Sequence, residues 1–316
     1  MPELAYSPDS GYARGMSAPD REDIRIPSHG EQLAAYYYQP TAHAKVPCVV
    51  MAHGFTGTRD DGLPPYAEAF RDAGFAVVVF DYRHFGASTG EPRQLLDIGC
   101  QHDDYRAAVA WARRQDGIDP ERIVLWGSSF SGGHVLAVAA GDPRIAAVIS
   151  QAPFTDAIPT LRQVPPATIA RLAVAGLRDQ AGAWLGRPPG LVPAVGDPGT
   201  AAAITAPGAK SGFEVIIGPE SLWRNELAAR LMLRLPLYRP VHEASRLTMP
   251  LLVCVCDDDT ITPPGPSVEA ARKAPRGELL RYPYEHFDIY TDPRVKTDQV
   301  AFLRRVLGPQ LSDGTA

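Results

Sequence analysis

The chain has 316 residues, a formal net charge of −5, and 45% hydrophobic against 21% charged residues. That length accommodates one large α/β domain or two small ones, and the acidic balance leaves no basic footprint for a nucleic acid. No apolar run reaches the ~18 residues of a membrane helix, and MPELAYSPDSGYARG at the start lacks the apolar segment of a secretory signal.

Residues 1–23 are expected to form an N-terminal extension. AAYYYQP (34–40) then reads as an early antiparallel strand, and its tyrosine run fits that better than a stacking platform. PCVVMAHG (47–54), FAVVVFDYR (75–83), RIVLWGS (122–128), IAAVISQAP (145–153), PLLVCVC (250–256) and ELLRYPY (278–284) follow as strands. Several are apolar at nearly every position, which suits strands buried on both faces of a parallel sheet. Helical patterns lie between them: PPYAEAFRDAG (64–74), with proline at its start and glycine at its end, then 98–117 and 292–308. The alternation predicts a doubly wound, mostly parallel α/β sheet of about eight strands.

Residues 154–245 break that rhythm. They hold two amphipathic helical patterns, 168–186 and 221–236, joined by a Pro/Gly/Ala-rich connection. The expected organisation is a core of 24–153 and 246–310, with a helical cap inserted between the sixth and seventh strands. Cys254 and Cys256 lie two apart in one strand pattern and no C-x-x-C occurs. All four cysteines, with Cys48 and Cys100, are expected as reduced thiols in a cytoplasmic protein.

Chemistry centres on VLWGSSFSGG (124–133), where Ser128, Ser129 and Ser131 crowd between glycines. The literal pattern G-x-S-x-G falls elsewhere, on GASTG around Ser88. That segment follows a strand and leads into EPRQLL with no immediate helix, so it reads as a surface loop. At 122–141 a strand runs into Gly127, and Val135, Leu136, Val138 and Ala139 continue helically. A nucleophile held at such a strand-to-helix elbow needs small residues two positions to either side, because the two backbones crowd there. Centred on Ser129 those residues are Gly127 and Ser131; centred on Ser128 they are Trp126 and Phe130. Ser131 would already lie inside the helix. Ser129 is the candidate nucleophile.

GSSFSGG, together with HGF (53–55), resembles the α/β-hydrolase superfamily. DYRHFGAS (81–88) is similar to a superfamily loop, D-x-R-G-x-G-x-S, that is not the nucleophile; His84 stands where glycine is frequent. The likeness spans about residue 24 to 308. It implies the chain order nucleophile, acid, histidine. Three aspartates follow PLLVCVC, and the superfamily pattern of an acid before x-I/V-x-P favours Asp259, before TITP, over Asp258 and Asp257. RYPYEHFDIY (281–290) holds the only histidine after residue 242, and its HFDIY resembles the histidine loop of the dienelactone-hydrolase-like and acyl-peptidase-like branches. His286 is therefore the expected base. The resemblance also implies an oxyanion hole from the backbone N–H groups of Phe55 and Phe130. His53 is expected to be structural, His102 solvated, and His134 packed on its own helix. No histidine has metal-set spacing.

The reading is a serine hydrolase with no cofactor or metal. It would act on a small-molecule carboxylic ester, lactone or thioester through an acyl-enzyme. Apolar cap side chains, with Trp184 and Trp223 foremost, would line the substrate pocket. An amidase or peptidase with the same triad, a carbon–carbon lyase or cyclisation enzyme, and a non-catalytic binding protein are the alternatives. An intact triad argues against the last.

Overall fold

The computed structural model describes residues 21–42 and 44–308. Its strands are β1 (Arg21–Ser28), β2 (Glu31–Tyr38), β3 (Val46–Ala52), β4 (Ala76–Phe80), β5 (Ile118–Ser128), β6 (Ile145–Gln151), the short β7 (Leu191–Val192) and β8 (Leu227–Ala228), β9 (Leu251–Cys256) and β10 (Gly277–Tyr282). The helices are α1 (Pro64–Asp72), α2 (Ile98–Ala112), α3 (Phe130–Ala139), α4 (Ala157–Leu161), α5 (Pro166–Trp184), α6 (Ala209–Ile216), α7 (Pro264–Lys273) and α8 (Pro293–Leu307).

Eight strands form one sheet in the order β1-β2-β4-β3-β5-β6-β9-β10. β2 runs antiparallel to both β1 and β4, and every pairing from β4 to β10 is parallel. The apolar strand runs follow from the layering. Ile123 and Leu125 of β5 join the core on one face of the sheet, while Val124 and Trp126 join the core on the other. A strand covered on both faces has no polar side to show. Trp126 also donates its indole N–H to Gln299 Oε1 of α8 at 2.8 Å, which satisfies the one polar atom that this ring buries.

β1 begins at Arg21, inside the stretch expected to be an extension; residues 1–20 lie outside the described residues. Its sequence, REDIRIPS, is largely exposed because the strand lies at the sheet's edge, so the apolar signal of the inner strands is missing. Helices α1, α2, α5 and α8 form where their patterns predict. α1 closes with Gly74 at φ 92°, a left-handed position that lets the Phe75 N–H reach back to Phe70 O at 3.0 Å.

The segment between β6 and β9 departs from expectation. Residues 221–236 do not form an amphipathic helix. Leu227–Ala228 pairs with Leu191–Val192 as β8, and only 3₁₀ turns follow, at Ala229–Leu233 and Leu235–Leu237. Pro236 cannot donate an α-helical hydrogen bond, and Arg230 is held by Asp179 of α5 through both its backbone N–H and its guanidinium, each at 2.8 Å. The Pro/Gly/Ala-rich connection in turn contains a helix, α6. Among the described residues, no helix is long and apolar enough to cross a membrane.

β3 and β5 are neighbours, but the chain leaves β3 toward β4 on one side and returns through β5 on the other. At such a reversal the loops beyond the carboxyl ends of two strands diverge and leave a crevice. Gly54 and Phe55 follow β3 there, and Ser129 follows β5.

Candidate active site

Ser129 is the corner between β5 and α3. Its φ of 56° and ψ of −120° are strained for a residue with a side chain. Two hydrogen bonds hold the corner: Ser129 N–H to Gln151 O at 2.9 Å and Phe154 N–H to Ser129 O at 2.8 Å. Gly127 is required by crowding, since a Cβ there would lie 2.3 Å from Ser131 O. A Cβ on Gly54 would meet the Ser129 Cβ at 2.8 Å, so the turn after β3 lies directly against the serine.

The three serines separate by their partners. Ser129 Oγ lies 3.0 Å from His286 Nε2. Ser128 Oγ is buried, accepting from Tyr290 OH at 2.7 Å. Ser131 Oγ, the extra hydroxyl near the elbow, is occupied by Tyr105 OH at 2.6 Å and Tyr82 OH at 3.0 Å. Ser88 has a structural place: it donates to Asp81 O at 2.7 Å and accepts from the Ala34 N–H at 2.8 Å, tying its loop to β2. His84 in that loop has φ 72°, which is why glycine would suit the position.

His286 Nδ1 lies 2.6 Å from Asp259 Oδ2, and both residues are buried. Asp259 is fixed in turn. Its Oδ1 accepts from the N–H groups of Ile261 and Thr262 at 2.8 and 2.7 Å, and Thr262 Oγ1 donates to Oδ2 at 2.8 Å. The TITP segment thus folds back around the carboxylate. Asp257 is exposed and pairs with Arg281 at 2.8 Å, and Asp258 is exposed as well. The structure brings Ser129, His286 and Asp259 into one hydrogen-bonded line.

Phe130 is the first residue of α3, where an N–H has no carbonyl one turn back to bind. Phe55 sits in the turn that abuts Ser129, and the two rings meet edge to face with centroids 5.6 Å apart. Both expected oxyanion donors therefore flank the serine. His53 is buried, its Nδ1 lies 2.8 Å from Gly54 O, and burial pushes it down to about 4, so it is neutral. His102 is not solvated: its Nε2 lies 3.0 Å from His134 Nδ1, beneath the Phe130 ring, and burial pushes it down to about 4.

A cavity of about 370 Å³ opens on Ser129, Phe55 and Phe130. Its other walls come from the insertion, at residues 160–165 and 198–207 and at Leu235, and from the TIT segment after Asp259. A second cavity, of about 30 Å³, touches Ser129 from the side of His286. Neither cavity is lined by the two expected tryptophans. Trp184 ends α5 and is 80% exposed, away from the site. Trp223 donates its indole N–H to Thr56 Oγ1 at 3.2 Å and stacks on Phe213 at 4.5 Å, so it fastens the insertion to the turn after β3. The walls missed from sequence, Leu161, Val164 and Ile204 among them, lie in short Pro-rich segments with no periodicity to mark a face. Ile204 is fixed through its backbone, its N–H donating to Ala194 O at 2.9 Å and its O accepting from the Gly196 N–H at 3.0 Å.

A mostly parallel crossover sheet with a serine at a strained elbow, followed in chain order by an aspartate and then a histidine, defines the α/β-hydrolase class. The chain belongs to the α/β-hydrolase family. It is 44% identical over 288 residues to the quorum-quenching protein AidA of Acinetobacter baumannii (strain MDR-ZJ06), covering 90% of this chain and 95% of that one. Over a shorter stretch, 39% of this chain and 38% of the relative, it is 43% identical to the thiohydrolase aneE of Aspergillus aculeatus. Residues 29–164 match the family model described as X-Pro dipeptidyl-peptidase (S15 family). The fold is shared with the α/β hydrolase GrgF from Penicillium sp. sh18, at a TM-score of 0.78 and 23% identity, over 90% of this chain and 98% of that one.

Proposed function

We propose that the chain is a serine hydrolase that cleaves a small ester, lactone or thioester with an apolar acyl group. The observation that carries this is the hydrogen-bonded line Ser129–His286–Asp259 opening on the 370 Å³ cavity. Ser129 Oγ attacks the carbonyl carbon while His286 Nε2 takes its proton. Asp259 holds the imidazole in the tautomer that leaves Nε2 free to accept. The N–H groups of Phe55 and Phe130 bind the oxygen on which negative charge develops. The histidine passes its proton to the leaving oxygen or sulfur, water releases the acid, and the serine regains its proton.

No charged side chain lines the large cavity among the described residues. An apolar acyl chain loses nothing there, whereas the ammonium of a peptide substrate would be buried unpaired. This favours an acyl substrate over the peptide that the family model's description names. The likeness to a quorum-quenching protein and to a thiohydrolase is consistent with a small acylated substrate. The four free thiols, three of them buried, fit a reducing cytoplasmic setting.

The test is a series of methyl esters of straight-chain acids. The specificity constant should rise with acyl length until the cavity is filled, by a factor of up to about ten per methylene. A constant that is flat or falls from acetate onward would overturn the assignment of the large cavity to the acyl group.

A further inference from the structure

The two cavities meet at Ser129 but differ in one chemical respect. His286 lines the small one and does not line the large one. In the reaction proposed above, the imidazole serves the departing and arriving groups, never the acyl chain. The leaving oxygen must collect its proton from His286 Nε2, and the water that follows must surrender one there. Both therefore have to stand on the histidine's side of the serine, where the space is about 30 Å³. One water needs ~10–15 Å³. Polar groups line this space beside the catalytic pair: Asp61, and His53, whose Nε2 is buried with no partner among the described residues.

The walls that limit this space come from the insertion and the histidine loop. Phe213 and Ile216 of α6 line it together with Phe287 and Tyr290. Phe213 is clamped between Trp223, stacked at 4.5 Å, and Phe287, edge-on at 5.8 Å. Gly212 presses on Phe287 so closely that a Cβ would lie 2.4 Å from its ring. An outer groove also reaches His286, but it is not lined by Ser129, and Phe287 stands between it and the small cavity.

We infer that the small cavity is the subsite for the leaving alcohol and the incoming acceptor, and that Phe213 and Ile216 hold it to the size of water or a short alcohol. The inference rests on the hydrolase reading and goes beyond it, because it states why this site hydrolyses instead of transferring its acyl group. With water as acceptor, the water oxygen bonds to the acyl carbon, its proton passes to His286, the C–Oγ bond breaks and Ser129 regains a proton, giving the acid. With an alcohol the same bonds form and break, and the product is an ester.

The experiment has two arms on one acid. For the wild-type enzyme, methyl, n-butyl and benzyl esters are compared; the specificity constant should fall as the alcohol grows, by about tenfold or more. In the second arm a methyl ester is turned over in the presence of n-butanol, and the ratio of butyl ester to free acid is read by chromatography. Phe213→Ala and Ile216→Ala should each raise that ratio about tenfold or more. The ratio is internal to each turnover and does not depend on how much folded enzyme is present. A wild-type preference blind to alcohol size overturns the inference, as does an unchanged ratio in both variants. Rapid-quench mass spectrometry keeps the two readings apart: with an acyl-Ser129 adduct only the subsite fails, and without one the hydrolase reading itself fails.

Discussion

Strand β5 of the sheet and helix α5 of the insertion are both rich in apolar residues, yet they place them differently. In β5, Ile123, Val124, Leu125 and Trp126 are all fully buried. In α5, Leu172 is buried, while Ile169, Val174, Leu177 and Trp184 are exposed. The sheet is covered on both faces, and its stability follows from burial. The insertion lies over the carboxyl ends of the strands; Leu172, Leu227 and Leu231 reach the core, and ion pairs add to this hold, Asp179 to Arg230 and Asp156 to Arg239 within it and Arg234 to Asp97 on the sheet's side. Ser129, Asp259 and His286 are carried by loops of the sheet half. The cavity beside Ser129 is walled largely by the insertion. Turnover and substrate selection should therefore respond to different substitutions.

The largest effect expected is on the sheet side. Asp259→Asn should lower kcat by about 10⁴, because the histidine is left in the wrong tautomer while the fold persists. Asp257→Asn and Asp258→Asn, at exposed positions, should stay within about 0.5 kcal/mol of wild-type stability and keep turnover. Steady-state kinetics beside thermal melts would show it, and a greater loss at Asp257 or Asp258 would move the acid.

Breaking the insertion's fastening comes next. Asp179→Ala should cost about 3 kcal/mol, since it strands the Arg230 guanidinium and the N–H groups of Gly190 and Arg230. The same link gives a pH signature. Burial acts to raise the Asp179 carboxyl, but hydrogen bonds from Arg230 and Gly190 outweigh it and hold the group below the usual carboxylate range. Its stabilisation is therefore present above the unfolded value of about 3.9 and is lost as pH falls through the lower folded one. Protection of the Gly190 and Arg230 amides, corrected for intrinsic exchange, should fall on acidification below about pH 4 before protection in β5 does. Simultaneous loss in both regions would erase the contrast.

Ser88→Ala should destabilise by about 1–3 kcal/mol, because the buried Ala34 N–H loses its acceptor, with turnover of the folded enzyme kept. The smallest effect belongs to Trp184→Ala, which should change neither stability beyond about 0.5 kcal/mol nor acyl-length preference. A shifted preference on an ester series would bring Trp184 back to the substrate.

The contrast also explains what could be read from the sequence. The inner strands were legible because burial on two faces forces continuous apolar runs, and Ser129 because crowding at the elbow demands small neighbours. His286 and Asp259 were legible through resemblance and chain order. β1 was missed because an edge strand shows solvent a polar side. Residues 221–236 carry helical apolar spacing, yet pairing with β7, Pro236 and the Asp179 link impose strand and 3₁₀ turns. The cavity walls at 198–207 left no pattern because the segment forms no regular helix or strand and is held by local backbone hydrogen bonds to residues 193–196.

Of the serines crowded at the elbow, Ser129 alone should act as the nucleophile. A fluorophosphonate offered to the folded wild-type protein, followed by proteolysis and peptide mass mapping, reports which hydroxyl reacts. One adduct is expected, on the Ser129 hydroxyl, absent from Ser129→Ala and blocked by prior incubation with an acyl substrate. An adduct on Ser88, Ser128 or Ser131, or labelling that persists in Ser129→Ala, would contradict it.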